Sequence, residues 1–266
     1  MKLTPCQIES YNENGYLVIE DLITDSELEQ LRTPTDRFND KIELPNVIGE
    51  DDGAIRSVFA PHLSESVFEN LYRDERLSVP AQQLIGNPIY LYQFKLNKKR
   101  ALTGKWWEWH QDFPFWCYDD GVKDPNMISI MILFQDTKVA QGPLMVIPGS
   151  HKNGIVEIEP KEHLQGAEND EVSLMHSLNA DLKYTIKSDV ILDFAKRKEV
   201  VICEGRAGTC IFFHPNLFHA SHSNLSPFER DTGIITYNDV ANLPEEKKSM
   251  RPDYLCSRNF EPINCI

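Results

Sequence analysis

The change of hydrophobic pattern at Ile89 constrains the fold of this chain more than any other feature. Before Ile89 the sequence shows mainly helical patterns, whereas after it the apolar residues fall in short runs rich in β-branched and aromatic side chains. Such runs, separated by turn residues, are typical of strands. They are residues 89–97, the segment around His110, and residues 127–134, 142–147, 199–203, 209–213 and 232–237.

We expect these runs to form a mainly β fold with flanking helices, whose core is a double-stranded β-helix (jelly roll, cupin-like). The predicted organisation is a single domain over residues 1–266. Within it, residues 1–87 are mainly helical, residues 88–240 form the jelly-roll core, and residues 241–266 form a tail. A jelly roll encloses a site between its two sheets, so chemically active side chains are expected on the core strands.

Two segments do not fit the strand pattern. Residues 46–60 contain an Asp-Asp-Gly turn and are predicted to be a loop. Residues 153–198 are polar, acidic and poor in strand signals, and are predicted to be an insertion with a helix after Ser188. Our hypothesis for this insertion is a mobile lid, because long loops of this kind often close over a bound ligand.

The charge of the chain narrows the class of ligand. With 41 acidic and 27 basic residues, the formal net charge is −14. Nucleic acids and anionic membranes bind positively charged surfaces, so neither is expected as a partner, and a small-molecule substrate fits better. The N-terminus has no apolar signal segment and the six cysteines form no CxxC pair, so we expect a cytoplasmic protein with reduced thiols. The oligomeric state is not predicted.

His110 and Asp112 are the first candidates for a metal site. Two residues apart in a strand, their side chains share one face and can bind one ion as neighbours. A second imidazole would complete a facial triad of two histidines and one carboxylate, the set that leaves iron(II) open positions for oxygen chemistry. Three imidazoles lie downstream at His214, His219 and His222.

Strand alternation separates these three imidazoles, because His219 lies an odd number of residues from the other two. His214 precedes Pro215, which indicates a bend, whereas His219 follows an apolar run, so we favour His219 as the third ligand. Arg230 follows at the start of an apolar strand. A guanidinium there suits the distal carboxylate of 2-oxoglutarate through a two-pronged hydrogen bond, and the Ser221 hydroxyl can support it.

Taken in order, these motifs resemble the phytanoyl-CoA dioxygenase superfamily of iron(II)/2-oxoglutarate oxygenases. Within it the chain is similar to bacterial hydroxylases of free small amino acids, the leucine 5-hydroxylases, and more distantly to ectoine hydroxylases. The resemblance covers nearly the whole chain. It rests on Tyr92-Gln-Phe-Lys-Leu-Asn97, Trp109-His-Gln-Asp-Phe-x-x-Trp116, Asp120-Gly121, Gly142-Pro-Leu-Met-Val-Ile-Pro-Gly-Ser-His151, His219-Ala-Ser-His-Ser-Asn-Leu-Ser-Pro-Phe-Glu-Arg230, Ile234-Ile-Thr-Tyr-Asn-Asp-Val-Ala-Asn242 and Arg251-Pro-Asp-Tyr.

The resemblance implies a cofactor set and a role for each matched residue. The expected cofactors are Fe(II), 2-oxoglutarate as co-substrate and O2, with ascorbate as an aid in vitro. A carboxylate at Asp112 implies hydroxylation, because related halogenases have a small residue there. The implied metal ligands are His110, Asp112 and His219, the implied 2-oxoglutarate contacts are Arg230, Ser221, Asn97 and Lys95, and the implied substrate contacts are Gln93 and Trp116, to which we add Asp120 as a polar pocket group.

The sequence therefore predicts an oxygenase that hydroxylates an unactivated C–H of a small free amino acid, aliphatic and leucine-like, or of a similar zwitterion. Ectoine itself is not expected, because Pro114, Phe115 and Cys117 depart from the ectoine hydroxylase pattern. Two alternatives remain open. One keeps the chemistry and changes the substrate to a carrier-bound, acyl-CoA or other natural-product molecule. The other is a jelly roll that binds a metal or ligand without turnover.

Overall fold

The helices of this computed structural model lie mainly in the first third of the chain. The structure describes residues 1–40, 44–50, 53–159, 161, 182–245 and 251–264. In these ranges no helix is both long and apolar enough to cross a membrane. The helices are α1 (Pro5–Asn14), α2 (Asp25–Arg37), α3 (Ser66–Arg73), α4 (Glu75–Ile85) and α5 (Ser188–Ala195).

The strands form two antiparallel sheets. The larger has seven strands in the order β1-β9-β6-β11-β4-β3-β2, and the smaller has four in the order β5-β10-β7-β8. The strands are β1 (Tyr16–Ile19), β2 (Val47–Gly49), β3 (Ile55–Phe59), β4 (Ile89–Lys99), β5 (Trp107–His110), β6 (Met127–Leu133), β7 (Leu144–Val146), β8 (Val201–Cys203), β9 (Cys210–Phe213), β10 (His219–Ser221) and β11 (Arg230–Asp239).

The alternating side chains of β6 show how the layers pack. Ile130 and Ile132 point away from the small sheet into a cluster with the N-terminal helices, which includes Leu28 and Phe68. Met131, from the opposite face of the same strand, packs in a second cluster with residues of β7 and β8. The helices therefore cover the outer face of the large sheet, and its inner face packs on the small sheet, as predicted for a jelly roll with flanking helices.

The segment before Ile89 contributes strands as well as helices. Residues 46–60 were expected to be a loop, and that prediction is wrong, because β2 and β3 lie in it and extend the large sheet beside β4. The strand Ile55–Phe59 is buried along its whole length, so it is stabilised by packing that a local turn signal does not reveal. Of the interval 153–198 proposed as a lid, residues 160 and 162–181 lie outside the described residues.

A β-bulge in β4 sets which of its side chains face inward. Gln93 pairs with Thr236 of β11, but the next pair joins Leu91 to Tyr237, so Tyr92 is an extra residue without a partner. A bulge of this kind shifts the alternation by one position. As a result, Tyr92 and Gln93 both lie on the inner face, although they are adjacent in sequence.

Gly208, in the turn before β9, provides a test of the fold. It has a φ of +86°, and a Cβ there would lie 2.1 Å from the carbonyl oxygen of Ile23. We expect Gly208→Ala to lower the free energy of unfolding by about 3 kcal/mol, measured by urea denaturation. Gly86 is the control, because its φ is +84° but nothing lies within 4 Å of its Cβ position. Gly86→Ala should cost only about 1 kcal/mol, and equal losses in both variants would contradict the close contact.

Candidate metal centre and active-site cavity

His110 and His219 face each other across the small sheet. His110 ends β5, His219 begins β10, and the two residues are paired in the register of these antiparallel strands. Their ring centroids lie 4.1 Å apart. Both side chains are buried. The second imidazole of the predicted triad is therefore brought beside the first by strand pairing over a separation of more than a hundred residues.

Asp112 is placed by the loop after β5 rather than by the strand itself. Its backbone N–H donates to the carbonyl oxygen of Pro215 at 2.9 Å, and the N–H of Phe113 donates to the same oxygen at 3.1 Å. The Asp112 Oδ1 lies 3.8 Å from the Nε2 of His110 and 3.8 Å from the Nε2 of His219. The chain thus brings the carboxylate to both imidazoles, even though the strand ends before Asp112.

Both imidazoles are oriented by a hydrogen bond to the backbone. His110 Nδ1 lies 2.6 Å from the carbonyl oxygen of Glu108, and His219 Nδ1 lies 2.9 Å from that of Leu217. A carbonyl can only accept, so each Nδ1 carries the proton and donates it. The Nε2 of each ring is then free of a proton and carries a lone pair, which is the state needed to bind a metal ion.

The electrostatics of the site keep its three groups in their metal-binding forms. Burial, together with the neighbouring His219, lowers the pKa of His110 to about 3, and burial also lowers the pKa of His219. Burial opposes the ionisation of Asp112, but its electrostatic interactions with the neighbouring His219 and Lys95 outweigh burial and lower the pKa of Asp112. At neutral pH two neutral imidazoles and a carboxylate therefore face one point.

This donor set fits iron(II). The three ligand atoms lie within 4.8 Å of one another, and no other cluster of at least three His, Cys, Asp or Glu ligands occurs in the described part of the chain. Two imidazoles and a carboxylate on one side of an ion leave the other side open for further ligands. The ligands predicted from the sequence are thus brought together in one buried site.

The other two candidate imidazoles lie elsewhere. His214 accepts a hydrogen bond from the backbone N–H of Asn216 through Nδ1 at 3.0 Å, and its ring packs against that of His151 at 5.1 Å. His222 directs its Nδ1 to the carbonyl oxygen of Ser223 at 2.7 Å. Neither histidine lines the cavity in which the triad lies. This agrees with the prediction from strand alternation, which favoured His219 over both.

One cavity contains the triad, and β4 runs along it. By the regular alternation of this part of the strand, Gln93, Lys95 and Asn97 all face the cavity. Lys95 lines the same cavity as the triad and lowers the pKa of Asp112, and its side chain makes no hydrogen bond within the described residues. Asn97 accepts a hydrogen bond from the Ser57 hydroxyl at 2.8 Å, which leaves its amide NH2 as a donor.

Arg230 is a buried guanidinium without a carboxylate partner. Its Nη2 donates to the carbonyl oxygen of Gly142 at 2.8 Å, and its Nε is buried without a hydrogen-bond partner. Within the described residues it forms no ion pair, and burial lowers its pKa to about 10. A buried, unpaired guanidinium that lines a cavity is costly unless an anion binds to it. The site therefore fits the distal carboxylate of 2-oxoglutarate.

Lys99 is a buried neighbour of the cavity residue Ser221 that the sequence patterns did not single out. It pairs with Arg230 in the register of β4 and β11, and its Nζ donates to the Ser221 hydroxyl at 2.8 Å and also contacts the carbonyl oxygens of His222 and Gly142. Burial, reinforced by Arg230, lowers the pKa of Lys99 to about 5. Strand alternation from Asn97 was the signal that would have placed Lys99 on the same face. Ser221 lines the cavity, as proposed, but shares its hydroxyl with this lysine.

Arg251, in the C-terminal segment, is the second missed residue. It lines the cavity, and its Nε donates to Oδ1 of Asp120 at 2.7 Å while its Nη2 contacts Oδ2. Burial works against the charge of Arg251, but the Asp120 carboxylate outweighs it and raises the pKa. Asp120, predicted to be a pocket group, does not line the cavity and instead holds Arg251 there.

The two remaining predicted substrate residues do line the cavity. Gln93 donates through Nε2 to the carbonyl oxygen of Leu255 at 2.6 Å, so its Oε1 remains as an acceptor. Trp116 is buried and packs edge-on against Tyr92, with ring centroids 5.3 Å apart. Trp116 follows Asp112 closely, in a π-helical turn over Phe115–Asp119.

The fold and the site together define a class of enzyme, the 2-oxoglutarate-dependent oxygenases with a mononuclear iron site. The comparisons agree with this class. The sequence profile of the family described as Phytanoyl-CoA dioxygenase matches residues 11–232, and the chain belongs to this family.

Named relatives of the chain include two kinds of small-molecule oxygenase. L-proline trans-4-hydroxylase from Streptomyces griseoviridis is 35% identical over 253 residues, which cover 95% of this chain and 92% of the relative. Ectoine dioxygenase from Bordetella parapertussis is 30% identical, covering 96% of this chain and 83% of the relative.

A solved structure with a similar fold is EctD from S. alaskensis. In its form with 2-oxoglutarate and 5-hydroxyectoine it matches with a TM-score of 0.81 and 28% identity, covering 96% of this chain and 84% of EctD. The form with bound Fe has a TM-score of 0.82 and 27% identity, covering 99% of this chain and 87% of EctD. The predicted fold class and the resemblance to the phytanoyl-CoA dioxygenase superfamily are confirmed.

Proposed function

We propose that this enzyme hydroxylates an unactivated C–H bond of a small free amino acid, leucine-like in size, or of a similar carboxylate-bearing zwitterion. The observation that most supports the proposal is that one cavity contains the triad and two separate guanidinium groups, those of the buried Arg230 and the largely buried Arg251. Two carboxylate-bearing molecules, a co-substrate and a substrate, would each find a cationic site there.

The contacts along strand β4 support two distinct guanidinium sites. Lys99, at its C-terminal end, pairs with Arg230, whereas Tyr92, seven residues earlier, contacts the Asp120 that holds Arg251. Seven residues of strand span roughly 23 Å. Lys95 lies between them, beside the triad. This order along β4 supports a metal site placed between two anion sites, so that the substrate and the co-substrate would approach one ion from different sides.

At the first site, Arg230 would hold the distal carboxylate of 2-oxoglutarate, with Ser221 and Asn97 as hydrogen-bonding neighbours. When bound, iron(II) and 2-oxoglutarate supply the oxidant that inserts one atom of O2 into a C–H bond, while 2-oxoglutarate becomes succinate and carbon dioxide. His110, Asp112 and His219 would hold the metal on one side. The apolar cluster beside Arg230, which includes Met131 and Ile234, excludes water from this region.

At the second site, the substrate carboxylate would bind Arg251, and the Oε1 of Gln93 would accept a hydrogen bond from the ammonium group. Phe115, Trp116 and Leu182 belong to one apolar cluster and line the cavity there. They would enclose the aliphatic side chain and fix the C–H that faces the metal. Asp120 acts behind Arg251 and not on the substrate itself.

A panel of free amino acids tests this function. We expect succinate formation in the presence of iron(II), ascorbate and 2-oxoglutarate to rise at least about tenfold above the uncoupled rate with one or more aliphatic amino acids, including L-leucine and L-proline. The assay measures succinate and the hydroxylated product by mass spectrometry. If only acyl-CoA thioesters stimulate succinate formation, the substrate class is acyl-CoA and the proposal is wrong. If no compound stimulates it, the result favours a jelly roll that binds a metal or ligand without turnover.

Replacing Arg251 tests the second anion site. Arg251→Gln removes the charge opposite the substrate carboxylate, and we expect the KM for the amino acid to rise by about a hundredfold. The KM for 2-oxoglutarate should stay within about twofold, because that molecule is assigned to Arg230. Arg197→Gln, in the exposed turn after α5, is the control and should change neither value. An unchanged amino acid KM in Arg251→Gln would contradict the assignment.

A further inference from the structure

We propose that Asp120 and Tyr92 are positioning residues that make the enzyme selective for substrates with a carboxylate. They would do so by holding the guanidinium of Arg251 in one orientation in the cavity. This inference rests on the proposed function and deepens it, because it concerns how the substrate site is built and which substrates it rejects.

Asp120 binds Arg251 through two hydrogen bonds, one on each carboxylate oxygen. Oδ1 accepts from Nε at 2.7 Å, and Oδ2 accepts from Nη2. The Asp120 side chain is 1% exposed and that of Arg251 is 11% exposed, so solvent barely reaches this pair. A two-pronged pair fixes the plane of the guanidinium as well as its position. Nη1 and the second hydrogen on Nη2 then remain for a ligand in the cavity.

Tyr92 fixes Asp120 in turn. Its hydroxyl donates to Oδ2 of Asp120, and burial together with the Asp120 charge raises the Tyr92 pKa well above its ordinary value, so the hydroxyl keeps its proton. Oδ2 thus accepts from both Tyr92 and Arg251. Tyr92 can reach this position only because it is the bulged residue of β4, since a regular strand that points Gln93 into the cavity would point Tyr92 away from it.

The same contacts join Arg251 to the segment that carries the metal ligand. Asp120 follows the π-helical turn Phe115–Asp119, which begins three residues after Asp112. Trp116, in this turn, packs against Tyr92, and the carbonyl oxygen of Trp116 accepts from the N–H of Val122 at 3.0 Å. The metal site and the guanidinium are therefore joined by a short stretch of chain, residues 112–120, whose two ends are buried. A substrate bound through its carboxylate would present one carbon to the metal.

Removing the Asp120 charge should mainly weaken the recognition of the substrate carboxylate. In Asp120→Asn the amide offers one acceptor where the carboxylate offered two, so the guanidinium loses its fixed orientation. We expect the Kd of the amino acid to rise at least about tenfold, and the preference for the amino acid over its carboxamide to collapse. Tyr92→Phe removes a single hydrogen bond, so its effect should have the same direction and be about threefold.

Asp119 offers a matched control. It is the neighbouring acid in sequence, but its carboxylate accepts from Lys183 Nζ and from the Tyr184 hydroxyl, both at 2.8 Å, and not from Arg251. Asp119→Asn removes the same charge from the same turn. We expect this variant to leave the ratio of the Kd for the carboxamide to the Kd for the amino acid unchanged, even if the turn itself becomes less stable.

The experiment is anaerobic calorimetry on the enzyme loaded with iron(II) and 2-oxoglutarate, titrated with L-leucine, L-proline, leucinamide and prolinamide. We expect the wild type to bind one of the acids at least about thirtyfold more tightly than its amide, and Asp120→Asn to prefer it by less than about threefold, with the Kd of 2-oxoglutarate unchanged. Wild-type preference retained in Asp120→Asn and in Tyr92→Phe would overturn the inference. A wild type that binds no acid would contradict the proposed function, and with it this inference.

Discussion

Replacing His219 with alanine should abolish substrate-dependent succinate formation, with kcat lower by at least about a thousandfold. His219 supplies one of only three protein ligand atoms, and its Nε2 lies 3.8 Å from Asp112 Oδ1 in a buried site. The two remaining groups cannot hold the ion on one side as a facial set. Iron content after gel filtration and succinate formation are the measurements, and both should fall together.

His222 provides the matched control for this variant. It lies three residues further along the chain, and its ring directs Nδ1 to the carbonyl oxygen of Ser223, away from the triad. We expect His222→Ala to keep its iron and to retain kcat within about threefold. If instead His222→Ala lost iron and His219→Ala kept it, the ligand set would have to be assigned again from the three imidazoles of this segment.

Replacing Arg230 should give the second large effect, a rise of about a hundredfold in the KM for 2-oxoglutarate in Arg230→Gln. The guanidinium is buried, its Nε has no partner, and it lines the cavity of the triad. The glutamine amide can donate one hydrogen bond to a carboxylate but carries no charge. The measurement is the initial rate of succinate formation against 2-oxoglutarate at saturating amino acid.

Arg206→Gln is the control for Arg230, because Arg206 lies exposed in the turn before β9. It should leave the KM for 2-oxoglutarate unchanged. Arg230→Lys should fall between the wild type and Arg230→Gln, since an ammonium keeps the charge but loses the two-pronged geometry. A 2-oxoglutarate KM in Arg230→Gln within about twofold of the wild-type value would place the co-substrate elsewhere in the cavity.

Much of the fold and the choice of metal ligands followed from short-range patterns. Runs of β-branched residues after Ile89 predicted the strands of the jelly roll, and the period of two along a strand separated His219 from His214 and His222. The structure brings His110, Asp112 and His219 together. The spacing rule assumed that His110 and Asp112 share one strand, whereas the strand ends at His110 and the backbone contacts with Pro215 place Asp112.

The substrate site could not be predicted in the same way. In the proposed site the guanidinium is that of Arg251, in the C-terminal segment, and only tertiary packing brings this residue to the cavity. Asp120 was predicted to be a pocket group. Instead it binds Arg251, and Arg251 is the residue that lines the cavity. Tyr92 reaches Asp120 through a bulge that breaks the alternation on which the reasoning relied. The burial of β3 was hidden for a similar reason, since its partners lie on β2 and β4.

Isotope labelling tests most directly whether 2-oxoglutarate turnover is coupled to hydroxylation of an amino acid. The wild-type enzyme is supplied with iron(II), 2-oxoglutarate, an amino acid that stimulates succinate formation, and ¹⁸O-labelled dioxygen, and both products are analysed by mass spectrometry. We expect one labelled oxygen in succinate and one in the hydroxylated amino acid, in equal amounts. Labelled succinate with an unmodified amino acid would show that the two reactions are not coupled, and would contradict the proposed hydroxylation.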